Sequence, residues 1–326
     1  MRGAAGDAPA TLAPGQVARI FTGAPVPAGA DTVLMQEDCE IAETRVRLPG
    51  KDTVTAGQNI RPAGQDARRD DVVMERGDRL TPQAVGLIAS VGIATVKVNT
   101  PRVLILTSGD EIQSPEETPL PGKIFDSNGP QLTQLLLQSG FVNVQREHLP
   151  DDPAIIRNTL TRVLTDSAQR PDVIISTGGV SVGEEDHLRA VLAEHGELDF
   201  WRLAIKPGKP VWLGRAAGRL VMGLPGNPTS ALVTARLLLA PLLAGLTGRD
   251  PGGALAWRSA PLAGPLGACG ERETFVRARR EGNAVHPLDS KDSSAQRTLA
   301  VADLLVRRAG HAPAMEIGDL VEVLDF

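Results

Sequence analysis

The sequence predicts an α/β multi-domain protein organised around a central doubly wound domain. Two apolar runs carry that expectation first: Arg102-VLILTSGDE and Asp172-VIIST are unalternated, as strands are when both faces are covered. Segments with helix-start signals lie between and after them, giving strand–helix alternation over residues 101–247. Glycine- and proline-rich turns follow the strands, where open α/β sheets hold their ligands.

Taken in order, residues 1–65 read as strands and turns. Val17 to Phe21, Thr32 to Gln36 and Arg45 to Leu48 are β-prone, separated by links such as GAPVPAGAD. Residues 66–100 form a connector, with a short helix from Thr81 to Val91 and an extended stretch into Pro101. Thr81 is placed to cap that helix and Pro82 to start it. In the central domain, Asn128 and Pro130 open a helix whose Leu132, Leu135 and Leu136 share a face, closed by Gly140. A strand near Val142 to Glu147 comes next, then a helix from Asp152 and Pro153. The strand Asp172 to Thr177 leads to a helix from Glu184. Strands near Phe200 to Ile205 and Leu220 to Met222 precede a long apolar helix that Asn227 caps and Pro228 starts. Arg249-DPGGALAW is a linker. Residues 248–326 turn β-rich, with strands at Thr274 to Arg280, Ala284 to His286 and Asp319 to Leu324, and a helix from Thr298 to Arg308.

Composition excludes several functions. The net charge of −5 and the 3% aromatic content, with no tyrosine, argue against nucleic-acid binding by charge or base stacking. The apolar stretch Leu237 to Leu246 is too short to span a bilayer and holds Pro241, and no signal-peptide pattern opens the chain. Cys39 and Cys269 are unpatterned free thiols, as expected in a cytoplasmic protein.

Three turns concentrate the chemistry: Thr177-GGVSVGEED, Ala204-IKPGKP and Gly223-LPGNPTSA. Gly178, Gly179 and Gly183 leave backbone N–H groups bare beside a helix start, which suits an anion such as phosphate. Lys206 and Lys209 bracket the tight Pro207-Gly208 turn, so both can reach one compact dianion as point charges; alone they would read as a solvated turn. Glu111 and Asp186 are placed to converge on the same crevice. Asp186 either complements a helix dipole or holds Mg²⁺ against phosphate, whereas Glu184 and Glu185 read as dipole complements. Gly179-Val180-Ser181-Val182-Gly183 formally matches a hydrolase nucleophile elbow, but the pattern is short and only His187, His195, His286 and His311 follow it. Neither a Walker A sequence nor a G-x-G-x-x-G fingerprint occurs.

These residues, with others in the same order, resemble the molybdenum insertase family (molybdopterin molybdotransferase), related to the C-terminal domain of gephyrin. The matching segments are Arg19-IFTGAPVPAGADTVLMQE, Gly57-QNIRPAGQD, Pro101-RVLILTSGDEI, Ile124-FDSN, the three turns above, and Arg272-ETFVR with Asp292-SSAQRTLAVAD. The resemblance implies four parts: a β-barrel-like domain (1–65), a connector that is a partial elongated domain (66–100), the α/β molybdopterin- and nucleotide-binding domain (101–247) and a C-terminal β domain (248–326). It implies that adenylylated molybdopterin and molybdate are bound with Mg²⁺, molybdate passes to the dithiolene sulfurs, and AMP leaves. Gly178, Gly179, Ser181, Gly183 and Asp186 would serve the nucleotide and metal. Lys206, Lys209, Ser230 and Arg272 would hold molybdate, and Thr22 and Asp66 would complete a partner subunit's cleft in a homodimer. A molybdopterin adenylyltransferase is a further implied partner. The other readings are a non-catalytic scaffold of the same fold and an adenylyltransferase, whose domain shares the TGG loop.

Two departures stand out. The family's Ser-x-x-Asp-Gly-Tyr-Ala motif, which precedes the residues matching Met1 onward, does not occur here. Without it the expectation is a weakened dimer and poor insertion. Arg297 stands where the family has a small hydroxyl residue, adding an anion contact or reshaping the rim.

Overall fold

Every residue from Val103 to Thr107 and from Val173 to Thr177 is buried, and the two runs lie side by side in a six-stranded sheet. That is the outcome their lack of alternation calls for. The computed structural model describes residues 2–3, 11–49, 54–166, 170–178, 187–288 and 295–326. It divides into two compact units, residues 1–75 with 80–94, and residues 76–79 with 95–326.

The first unit is sparsely regular. Strands β1 (Arg2–Gly3) and β2 (Arg19–Ile20) pair in parallel, and β3 (Glu40–Ala42) and β4 (Arg45–Arg47) form a hairpin. The stretch expected as a strand at Thr32 to Gln36 is irregular, held by Val33 N–H to the Gln58 carbonyl at 3.0 Å and by Asn59 Nδ2 to the Val33 carbonyl at 2.9 Å. Helix α1 (Pro82–Ser90) starts as the sequence indicates, with Thr81 Oγ1 accepting from Ala84 N–H. Ile88 is its one buried residue, while Phe21, Met35, Ile41 and Val72 are exposed.

The second unit begins with β5 (Val103–Ser108), followed by the small parallel pair β6 (Ile112–Gln113) and β7 (Ile124–Phe125). Then come α2 (Asn128–Gln138), β8 (Val144–Leu149), α3 (Pro153–Thr165), β9 (Val173–Thr177), α4 (His187–Glu194) and β10 (Gly196–Arg202). The chain goes on through β11 (Ile205–Lys206), β12 (Pro210–Ala216) and β13 (Arg219–Leu224) to α5 (Pro228–Thr234). The strand order in the sheet is β10-β12-β13-β9-β5-β8. Leu104, Leu106 and Ile174 point to one face with Ile156, Leu160, Leu188 and Leu192 of α3 and α4. Val103, Ile105, Val173 and Ile175 point to the other with Leu132 and Leu136 of α2. The doubly wound arrangement thus follows from two strands apolar on both faces.

One strand breaks the parallel pattern. β12, not foreseen from sequence, runs antiparallel to both β10 and β13. It joins β13 through Ala217-Gly218, both at positive φ (47° and 74°), the geometry of a tight hairpin turn whose twist matches its strands. Because β12 reverses the chain twice, β10 still ends on the same edge as β5, β9 and β13.

The apolar helix is longer than the ten-residue run suggests. α5 continues through a π-helical stretch, Ala235–Leu239, into α6 (Ala240–Leu246), 19 residues in all and long and apolar enough to cross a membrane. Here it is a core helix: Ala235, Leu239 and Leu243 pack on the sheet, and Val233 and Leu237 pack on the C-terminal part. Residues 249–257 connect without hanging free, since Asp250 accepts from Gly252 and Gly253 N–H and Trp257 packs beside Phe275.

In the C-terminal part, β14 (Arg258–Pro261), β15 (Glu273–Glu281), β16 (Ala284–Pro287), β17 (Leu304–Arg308) and β18 (Leu320–Asp325) form the second sheet. The helix expected from Thr298 to Arg308 is a correction. Only α7 (Gln296–Ala300) is helical, and Leu304–Arg308 is a strand between β15 and β18. Leu304 and Val306 enter one core and Leu305 another, so two-sided burial removed the alternation that marks a strand.

Capping gives a direct test of α3. Asp152 Oδ1 accepts from Ala154 N–H at 2.8 Å and Ile155 N–H at 3.1 Å. Asp152→Ala is expected to lower unfolding free energy by about 0.5–2 kcal/mol, read from the urea midpoint at unchanged m-value.

Candidate functional site

The edge where β5, β9, β10 and β13 end carries two adjoining features. The first is a crevice of close backbone approaches. A methyl group on Gly178 would lie 3.0 Å from the Ser108 carbonyl oxygen, and one on Gly226 would lie 3.4 Å from Gly178 Cα. Asn128 Nδ2 donates to the Gly226 carbonyl at 2.7 Å, and Gln131 Nε2 donates to the Pro228 carbonyl at 2.9 Å. The loops after β5, β9 and β13 are thereby brought together. Asn227 occupies the N-cap position of α5 with extended backbone, but its side chain makes no capping bond. Its Oδ1 is instead buried without a partner at the crevice, an acceptor whose desolvation a donor would relieve.

Glu111 stands at this edge, exposed, with its carboxyl over Gly109, which has φ +134°. Gly179, Ser181, Gly183 and Asp186 lie outside the described residues, as does the start expected for the following helix at Glu184. Among the described residues no three His, Cys, Asp or Glu side chains gather as a metal site. Mg²⁺, however, takes only one or two protein carboxylates together with substrate phosphates, and the Glu111 carboxylate meets that requirement.

The second feature is a cationic cleft. The loop between β10 and β12 folds down so that β11 pairs in parallel with β15, Ile205 opposite Glu273 and Lys206 opposite Thr274. Glu273 N–H donates to the Ala204 carbonyl at 2.9 Å and Arg272 Nη1 donates to the Ile205 carbonyl at 3.3 Å. The Lys206–Pro207 peptide is cis and Gly208 has φ +106°. Lys206, Lys209, Ser230 and Arg272, all singled out from sequence, line one cavity of about 720 Å³. Arg277 and His286 line it too. Arg277 is buried and donates to Thr229 Oγ1 at 3.4 Å. An adjoining cavity of about 780 Å³ shares Lys206, Lys209 and Arg272 and adds Cys269 and Arg308. Sequence reasoning missed Arg308, because it sits at the end of a segment read as helix; its place next to Arg307 on an apolar run was the available signal.

Several cations elsewhere are paired. Arg307 Nε donates to Glu273 at 2.6 Å, and this hydrogen bond raises the guanidinium pKa above its ordinary value. Arg157–Glu194 and Arg162–Glu147 are further ion pairs, at the surface. By contrast, Lys206, Lys209, Arg272 and Arg308 make no ion pair among the described residues.

Thr22 and Asp66 belong to the first unit. Both are exposed, and Asp66 pairs with Arg61 at 3.3 Å beside a cavity of about 500 Å³ that Arg68 and Arg69 also line.

A mainly parallel α/β sheet with glycine-lined strand ends, beside a cationic cleft against a β sheet, is the class of arrangement that suits anionic ligands. Residues 2–92 match the MoeA N-terminal region (domain I and II), and residues 104–245 match a family described as the probable molybdopterin binding domain. The chain belongs to the MoeA family. It is 38% identical over 244 residues to the molybdopterin molybdenumtransferase of Haemophilus influenzae, covering 74% of this chain and 58% of that protein. It is 31% identical over 271 residues to that of a Nostoc species, covering 82% and 61%. The chain therefore spans about three-fifths of the length of these curated relatives. A crystal structure of a molybdopterin biosynthesis MoeA protein from Pyrococcus horikoshii superposes with a TM-score of 0.77 at 29% identity, covering 99% of this chain and 79% of that one.

Gly178 has φ +88° and no room for Cβ against Ser108. Gly178→Ala is expected to destabilise the chain by about 1–2 kcal/mol or more, measured by chemical denaturation.

Proposed function

We propose that this chain inserts molybdate into adenylylated molybdopterin with release of AMP, in molybdenum cofactor biosynthesis. The observation that carries the reading is the convergence of Lys206, Lys209, Arg272 and Ser230 on one cleft at the ligand-bearing edge of the sheet. The lysines and arginine supply charge and the hydroxyl supplies a donor, a set suited to a tetrahedral dianion. Gly178, with Gly179, Ser181 and Gly183, cradles the nucleotide phosphates. Glu111 and Asp186 hold Mg²⁺, which neutralises phosphate charge when bound. The relatives named molybdopterin molybdenumtransferase support this assignment. The contribution of β15 to the cleft favours it over an adenylyltransferase built from the α/β domain alone.

In the same reading the chain has four parts, a barrel-like domain (1–65), a connector (66–100), the α/β domain (101–247) and the C-terminal β domain (248–326). It works in the cytoplasm as a weak homodimer in which Thr22 and Asp66 complete the partner's cleft, and it receives its substrate from a molybdopterin adenylyltransferase. The exposed Phe21, Met35, Ile41 and Val72 of the first unit support an associating surface there.

Two measurements test the reading. Lys206→Ala and Lys209→Ala are each expected to weaken molybdate binding by about tenfold or more, since a charge-assisted contact contributes about 1.5–3 kcal/mol. Calorimetry giving wild-type affinity in the double variant would remove the oxyanion assignment. For the nucleotide, AMP is expected to bind more tightly with Mg²⁺, and Asp186→Asn to abolish that difference. Equal AMP affinity with and without Mg²⁺ would sink the metal role.

A further inference from the structure

Arg308 presents an unbalanced charge. It lies on β17 at 3% exposure, beside an apolar core that includes Val276 and Leu266. A buried guanidinium is costly unless a counter-charge and hydrogen bonds compensate it. Arg307, the preceding residue, shows the ordinary solution: it faces solvent, binds Glu273, approaches Glu322 at 3.6 Å and stacks over Trp257 at 5.5 Å. Strand geometry turns Arg308 to the opposite face. There it donates to two neutral acceptors, the Gly267 carbonyl at 3.5 Å and the Pro313 carbonyl. Neither neutralises it, and it makes no ion pair among the described residues.

What Arg308 does share is a cavity. Lys206, Lys209 and Arg272 line the same 780 Å³ space, and the one carboxylate on its wall among the described residues, Glu271, is exposed. Four cations face one cavity with no paired carboxylate. Such a wall is balanced by an anion carrying at least two charges, and less well by a monoanion of the same shape.

We infer that Arg308 is a ligand-binding residue of the oxyanion cleft and makes it select tetrahedral dianions over tetrahedral monoanions. This rests on the oxyanion reading of Lys206 and Lys209 and adds a cation fixed by the β domain. A buried arginine is held by its strand, so it contributes fixed charge where the exposed lysines contribute mobile charge. Discrimination by charge at constant shape follows from that fixed position.

The test titrates the full chain with molybdate, a dianion, and perrhenate, a monoanion of the same tetrahedral form. Wild type is expected to prefer molybdate. Arg308→Leu is expected to weaken molybdate by about tenfold or more and to narrow the preference, with Arg308→Lys recovering part of both. A folded Arg308→Leu chain with wild-type molybdate affinity and preference overturns the inference. If that occurs while the Lys206→Ala, Lys209→Ala double variant still loses binding, the inference fails and the oxyanion reading stands. If the double variant also binds normally, both fail. A measurement on wild type alone guards against misfolding of the variant. Cys269 lines this cavity and Cys39 belongs to the other unit. Iodoacetate, itself an anion, is expected to alkylate Cys269 more slowly in molybdate than in perrhenate, with Cys39 indifferent to both. Equal protection of Cys269 by the two anions overturns the inference as well.

Discussion

The pairing of two residues, Ile205 and Lys206, with Glu273 and Thr274 is the contact on which the cleft depends. It takes the loop between β10 and β12 out of the α/β sheet and stitches it into the C-terminal one. Two hydrogen bonds reinforce it, from Glu273 N–H to the Ala204 carbonyl and from the Arg272 guanidinium to the Ile205 carbonyl. Without that staple the lysines would sit on a solvated turn and Arg272 on a separate sheet edge. Burial reinforces it, because Val233 and Leu237 of the long helix share a core with Phe275, Leu305 and Leu324. The pairing sets position, and the apolar contact supplies most of the free energy that keeps the two sheets together.

The parts of the fold legible in sequence are those with local causes. Thr81, Asp152 and Pro228 mark helix starts through capping and proline geometry that need no distant partner. Strands β5 and β9 are readable because a run apolar on both faces has few alternatives at that length. The same property hid β17, whose two-sided burial imitates a helix segment when no partner strand is known. β12 was hidden for a related reason. Its Pro210 and Gly214 argue against a central strand by composition, yet it lies between β10 and β13. Tertiary pairing overrides propensity in both places.

The site was legible to the extent that its chemistry is clustered in short motifs. Lys206, Lys209, Ser230 and Arg272 were each visible as members of such motifs, and the structure brings them to one cavity. Asn227 shows the limit of that approach. Its position at the head of α5 was foreseen, but its side chain turns away from capping and leaves Oδ1 unpartnered. Arg308 shows the limit from the other side. No motif contains it, and only burial beside unpaired cations makes it conspicuous.

The two features at the strand ends therefore differ in how they are built. The crevice at Ser108, Gly178 and Gly226 arises from backbone approach within the α/β sheet, so its geometry is local to that domain. The cationic cleft exists only where two sheets meet, and half of its charge comes from the β domain through Arg272 and Arg308. A ligand that spans both must contact groups whose relative position is set by the β11–β15 pairing and the apolar core behind it. An anion bound at the cleft would add a counter-charge across that junction and favour the docked arrangement of the two sheets, as any ligand of the native state does.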